Sequence, residues 1–131
     1  MKTHTLFNKT MVAGAACVIA MMGIPLTSQA EDVPLSHVAE PGVYKVLAEN
    51  ELFRVVLATW KPGQRDALHS HPANAVYRLT DCKNQIYKAD GSKGGGGEVK
   101  AGSVNLQAPV TAHSFENAGT TECQMLIVER K

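Results

Sequence analysis

No stretch beyond Ala30 holds apolar residues at helical spacing for three turns. Short β-rich runs recur instead, separated by Gly, Pro, Asp and Asn. Val43 to Ala48 is the first. Leu52 to Trp60 (LFRVVLATW) is longer and stops at the turn Lys61-Pro62-Gly63. Ala67 to His71 stops at Pro72, Ala75 to Thr80 at Asp81, and Gln85 to Lys88 before Asp90-Gly91. Glu98 to Lys100, Ser103 to Gln107 and Thr111 to Asn117 follow, and Thr121 to Glu129 (TECQMLIVE) closes the series. Many short strands with regular turns predict an all-β antiparallel sandwich or barrel over 43–131. Strand edges left unpaired within it favour a homodimer. Residues 31–42, with Pro34, Pro41 and Gly42, read as an extended lead-in arm. Gly94 to Gly97 read as a flexible hairpin tip, because the Lys-Ser/Thr and the helix of a phosphate loop are missing.

The first 30 residues have a different pattern. Lys2 and Lys9 are their only charges, and Met11 to Ile24 is an uncharged run ended by Pro25. Ser28-Gln29-Ala30 has the small-x-small form of a signal-peptidase site. Residues 1–30 are therefore expected to be a cleaved signal peptide. The run falls short of the about 20 apolar residues of a membrane span, so no stable membrane anchor is expected. A periplasmic or secreted protein follows. In that compartment Cys82 and Cys123 can form one bridge, or serve as two small buried apolar residues.

Charge removes some partners. The 131 residues carry 13 Lys+Arg and 12 Asp+Glu, a formal net charge of +1. So even a balance gives no reason to expect nucleic acid.

Histidine supplies the candidate chemistry. His69 and His71 form His-Ser-His, and residues two apart on a strand project from one face. Neighbouring imidazoles favour Fe, Mn, Zn, Ni or Cu over Ca. Gly63 to His71 has the form G-x5-H-x-H, and Gly102 to Asn117 (GSVNLQAPVTAHSFEN) carries Pro109, His113 and Asn117. On these two motifs the chain resembles the cupins, small β-barrels or jelly rolls, from about Phe53 to Glu129. The resemblance implies that His69, His71 and His113 hold one divalent transition metal. Two departures stand out. The usual acidic ligand of the first motif falls near Ala75 or Val76, and the second motif lacks its Gly.

Three neutral imidazoles leave open positions on an ion, as in catalytic rather than closed sites. The candidates for orienting the rings or holding a ligand are Gln64, Asp66, Tyr77, Asn105, Gln107 and Asn117. Asp66, three residues before His69, faces away from it on a regular strand and reaches it only by returning through the loop; otherwise it is a solvated acid paired with Arg65. Tyr77, six residues after His71, is nominally on its face. His37 and Glu116 read as surface, and Trp60 as a core or interface anchor. Two functions follow: an exported metal-dependent enzyme on a small metabolite, or a non-catalytic module binding a small molecule without metal. A third, a scaffold for protein interaction, uses the barrel alone.

Overall fold

The computed structural model describes residues 32–131. The expected signal peptide lies outside the described residues. Among those described, no helix is long and apolar enough to cross a membrane.

The described residues form nine strands: β1 (Tyr44–Glu49), β2 (Phe53–Trp60), β3 (His69–His71), β4 (Asn74–Arg78), β5 (Cys82–Lys88), β6 (Lys93–Val99), β7 (Val104–Gln107), β8 (Val110–Asn117) and β9 (Cys123–Arg130). They make a five-stranded sheet, β1-β2-β9-β4-β7, and a four-stranded one, β3-β8-β5-β6. Every pairing between named strands is antiparallel. The two sheets form a jelly-roll barrel.

Alternation fixes which residues face inward. In β2 these are Arg54, Val56, Ala58 and Trp60; in β9 they are Cys123, Met125, Ile127 and Glu129. Trp60 anchors the core and stacks at 4.3 Å against Phe115 from the other sheet. Cys82 and Cys123 are bridged, with Cα atoms 5.2 Å apart. The bridge ties β5 of one sheet to β9 of the other, so the two residues are more than apolar filler.

Two expectations need correction. The lead-in arm is not extended throughout: Ser36–Ala39 form a short helix, α1. Ahead of it, Leu35 bridges Ser70, and Pro34 accepts a hydrogen bond from the Ser70 amide. The four glycines are not a hairpin tip either. They lie inside β6, where Gly97 pairs with Asn84 and Gly96 with Gln85. A Cβ on Gly96 would meet the Asn84 carbonyl at 2.7 Å, so only glycine lets β6 approach β5 this closely. The turn falls earlier, at Asp90-Gly91-Ser92, where Gly91 has φ +80 and Asp90 Oδ1 accepts from the Ser92 amide.

Candidate metal centre

The pairing of β3 with β8 puts His69 directly opposite His113. On β3 both His69 and His71 point inward while Ser70 between them is half-buried. The three rings thus converge from two strands, and their ligand nitrogens lie within 4.8 Å of one another. His69 Nε2 and His113 Nε2 are 2.9 Å apart. Ring nitrogens on one tetrahedral ion would stand about 3.3 Å apart, so these separations bracket what an ion needs.

The rings are held from behind. His69 Nδ1 donates to the Ala67 carbonyl at 2.8 Å, which turns its Nε2 toward His113. His71 Nδ1 donates to Glu129 Oε1 at 2.8 Å. Each bond fixes a tautomer that leaves Nε2 unprotonated with its lone pair toward the site, the arrangement that makes an imidazole a good ligand. Burial lowers the pKa of His69, partly offset by Asp66. Burial, then the neighbouring His69 and His71, brings His113 down to about 3. Both rings are therefore neutral, as ligation requires.

Two acids complete the support. Glu129 is fully buried on β9. Burial alone would push its pKa up, but His71 and Arg54 outweigh this and hold it below the usual range. Arg54 Nη1 stands 3.3 Å from Glu129 Oε2, and Arg54 also pairs with Glu49. Asp66 is the second. Its Oδ2 accepts from the Tyr44 hydroxyl at 2.7 Å and from Trp60 Nε1 at 2.9 Å, and its Oδ1 accepts from the Phe115 amide at 2.7 Å. Tyr44 Oη also lies 3.0 Å from His69 Nε2. Burial, then Asp66, raises the Tyr44 pKa well above normal, so the phenol keeps its proton.

The other expected residues fall unevenly. Asp66 does return through the loop to His69, with Oδ1 3.5 Å from Nδ1. It does not pair with Arg65, which instead stacks over Tyr87 and bonds Ser114. Glu116 is half-buried and accepts from the Tyr87 hydroxyl. Tyr77 points outward, against the expectation that it shares the His71 face, and Arg78 points inward in its place. Strand parity does not carry from His71 to Tyr77, because the chain leaves β3 at His71, turns through Pro72-Ala73 and enters the other sheet at Asn74. Gln64 does not reach the rings; its Oε1 accepts from the Lys61 amide. Nor does Asn117, which is fully buried and bonds Trp60 O, Thr121 O and the Gly119 amide. Asn105 and Gln107 line a cavity of about 280 Å³ that His71 and His113 also border. His37 is half-buried on α1, with Nδ1 3.4 Å from Arg54 Nη1.

Glu129 and Tyr44 went unforeseen. Glu129 had a readable signal: Cys123, Met125 and Ile127 fill one face of β9, and alternation puts an acid next on that face. Tyr44 had none, since it opens a strand whose other residues are exposed.

No protein-family model and no curated protein matches the chain. Solved structures do. A cupin domain from Bordetella pertussis Tohama I is 21% identical, with a TM-score of 0.61, over 68% of this chain and 92% of that one. An uncharacterized conserved protein with a double-stranded β-helix domain from Klebsiella pneumoniae is 22% identical, TM-score 0.53, over 67% and 75%. The Cnp3 cupin domain of Schizosaccharomyces pombe is 14% identical, TM-score 0.52, over 67% and 59%. Together with the two-sheet jelly roll and its converging histidines, these likenesses give the described chain the fold of a small cupin domain.

Proposed function

We propose that this is an exported cupin that binds one divalent transition metal through His69, His71 and His113 and receives a small molecule in the adjoining cavity. The observation that carries the reading is the way the rings are oriented. Ala67 O and Glu129 each accept a hydrogen bond from an Nδ1–H, which leaves Nε2 of His69 and His71 for an ion. The donor set suits Fe, Mn, Zn, Ni or Cu. Such an ion supplies Lewis-acid activation of a ligand oxygen when bound. Glu129 stands where it can steady His71 without itself being a ligand, and Tyr44 offers a hydroxyl beside His69.

A metal-free binding module is the second reading. The close approach of His69 Nε2 to His113 Nε2 favours it, since one ring can donate to the other without an ion. Metal analysis of untagged protein decides. The parent should carry close to one ion per chain, His71→Ala and His113→Ala should carry none, and His37→Ala should match the parent. A metal-free parent, or equal loss in His37→Ala, sinks the metal reading and leaves the module.

Export is supported by the Cys82–Cys123 bridge, which belongs to an oxidising compartment. Mass spectrometry of the exported protein should find Glu31 at the N-terminus. A homodimer is supported by the outer face of the larger sheet. There Tyr77 pairs beside Val104, and Leu106 across Ala75 from Val128, all four exposed. An apolar patch of this kind marks an interface. Sedimentation should give a dimer that Leu106→Lys converts to monomer; a parent that is monomeric at high concentration contradicts it.

A further inference from the structure

Strand β4 sends three side chains into the cavity: Asn74, Val76 and Arg78. Two of them carry polar atoms that the protein leaves unsatisfied. Among the described residues, Arg78 Nε and Asn74 Oδ1 are buried without a hydrogen-bond partner. Arg78 is only 6% exposed. The one hydrogen bond of its side chain among the described residues, from Nη1 to Met125 Sδ at 2.9 Å, goes to a weak acceptor. None of the ion pairs among the described residues includes it. An Arg this buried is rare unless paired, because removing an ion from water costs several kcal/mol. Burial lowers the Arg78 pKa with no opposing group nearby, which agrees with the missing partner.

The cavity itself says what the partner is. Among the described residues no acid and no Lys line it, so Arg78 is the one permanently charged side chain there. An anion answers that charge, and the apolar residues beside it favour one with a carbon chain over inorganic phosphate. Nε and Nη2 form a planar two-donor fork, which fits a carboxylate. Apolar Val76, Ile86 and Ile127 border the space between. Asn74 stands four residues from Arg78, about 13 Å along the strand, at the His71 end. Its Nδ2 donates to the Pro72 carbonyl, so the unpartnered atom is the acceptor Oδ1. The volume, near 280 Å³, is at the lower limit of ligand pockets.

We infer that the cavity binds a small organic monocarboxylate. Its carboxylate accepts two hydrogen bonds from the Nε–Nη2 fork of Arg78, and a hydroxyl or amine at its other end donates to Asn74 Oδ1 beside the histidines. This inference rests on reading the cavity as the ligand site of the metal centre and names the class of ligand.

Titration calorimetry on metal-replete protein tests it, with 4-hydroxybutyrate, butyrate, 1,4-butanediol and inorganic phosphate as probes. 4-Hydroxybutyrate should bind best, butyrate more weakly, and the diol and phosphate not measurably. Arg78→Met should weaken 4-hydroxybutyrate about tenfold to a hundredfold. Asn74→Leu should weaken 4-hydroxybutyrate but not butyrate. Binding of the diol or phosphate as tight as the acid, or unchanged affinity in Arg78→Met, overturns the inference. A second readout needs no variant: the Nε–Hε NMR signal of Arg78 in the parent should move on adding 4-hydroxybutyrate. A signal unmoved at about 10 mM acid overturns the inference as well. Metal content measured on the same samples keeps the two readings apart. A parent without metal that still binds the acid through Arg78 breaks the metal reading and leaves this one standing. Full metal with no acid binding does the reverse.

Discussion

At one end of the cavity, each buried acid and two of the three rings have named partners. Asp66 accepts from Tyr44, Trp60 and the Phe115 amide, and Glu129 bridges His71 and Arg54. At the other end Arg78 has only a thioether, and its Nε has nothing. Both ends are buried and polar, but at the first every charged group is partnered and only the neutral Asn74 Oδ1 is left over, whereas at the second the charge itself lacks a partner. A partnered group is held in place by the protein and serves to position something else. An unpartnered one raises the free energy of the folded state until a ligand supplies what is missing. Removing a charge should therefore have opposite consequences at the two ends.

The largest effect is expected at the partnered end. Glu129→Ala strips His71 of its acceptor and leaves Arg54 with Glu49 alone. Denaturant melts should show a loss of about 3 to 5 kcal/mol, as for a broken buried pair. Metal affinity should fall about 10- to 100-fold through the freed His71 ring. A loss below 1 kcal/mol would mean that the buried network does not hold this end together. The disulfide sets the scale for comparison. It closes a separation of 41 residues between the two sheets. Replacing both cysteines with Ser should cost about 2 to 4 kcal/mol in the same melts.

Of the two ends, acid should act on the His end. In the folded protein the His113 pKa lies at about 3 against 6.5 for a free ring. The unfolded chain takes up that proton below 6.5, while the folded chain resists until about 3. Stability is thus fully present above pH 6.5 and is lost as pH falls from there through about 3. His69 shifts in the same direction. Melts of metal-free protein between pH 7 and 4 should show this decline, and His113→Leu should flatten it. An equal slope in parent and variant would contradict the assignment. The smallest effect belongs to the unpartnered end. Arg78→Met should leave stability unchanged or raise it by about 1 to 2 kcal/mol, since a buried charge without a partner is replaced by an apolar chain. A loss as large as that of Glu129→Ala would erase the distinction between the ends.

What the sequence made legible follows the range of the physics involved. Strand positions are local, and each of the nine β-rich runs overlaps a strand, because alternation and turn residues act within a few positions. His69 and His71 share a face for the same reason. Where the local rule was carried past a break it failed. Tyr77 lies beyond the break at Pro72, and Asp66 lies ahead of β3, which begins only at His69, so Asp66 reaches the ring through the loop and not by strand parity. Partners supplied by another sheet had no local signal. Tyr44 reaches Asp66 across 22 residues and Glu129 reaches His71 across 58, and only the register between strands brings them together. The glycines of β6 misled because four in a row signal flexibility, whereas here they meet the demand of a close neighbouring backbone.

The proposed metal can be sought directly. Crystals of the protein loaded with zinc and measured at the zinc absorption edge should give one anomalous peak per chain. It should lie about 2.0 to 2.1 Å from Nε2 of His69, His71 and His113, with Glu129 still bonded to His71 Nδ1 and not to the ion. A peak elsewhere, a peak bound through Glu129, or no peak between the three rings would contradict the account.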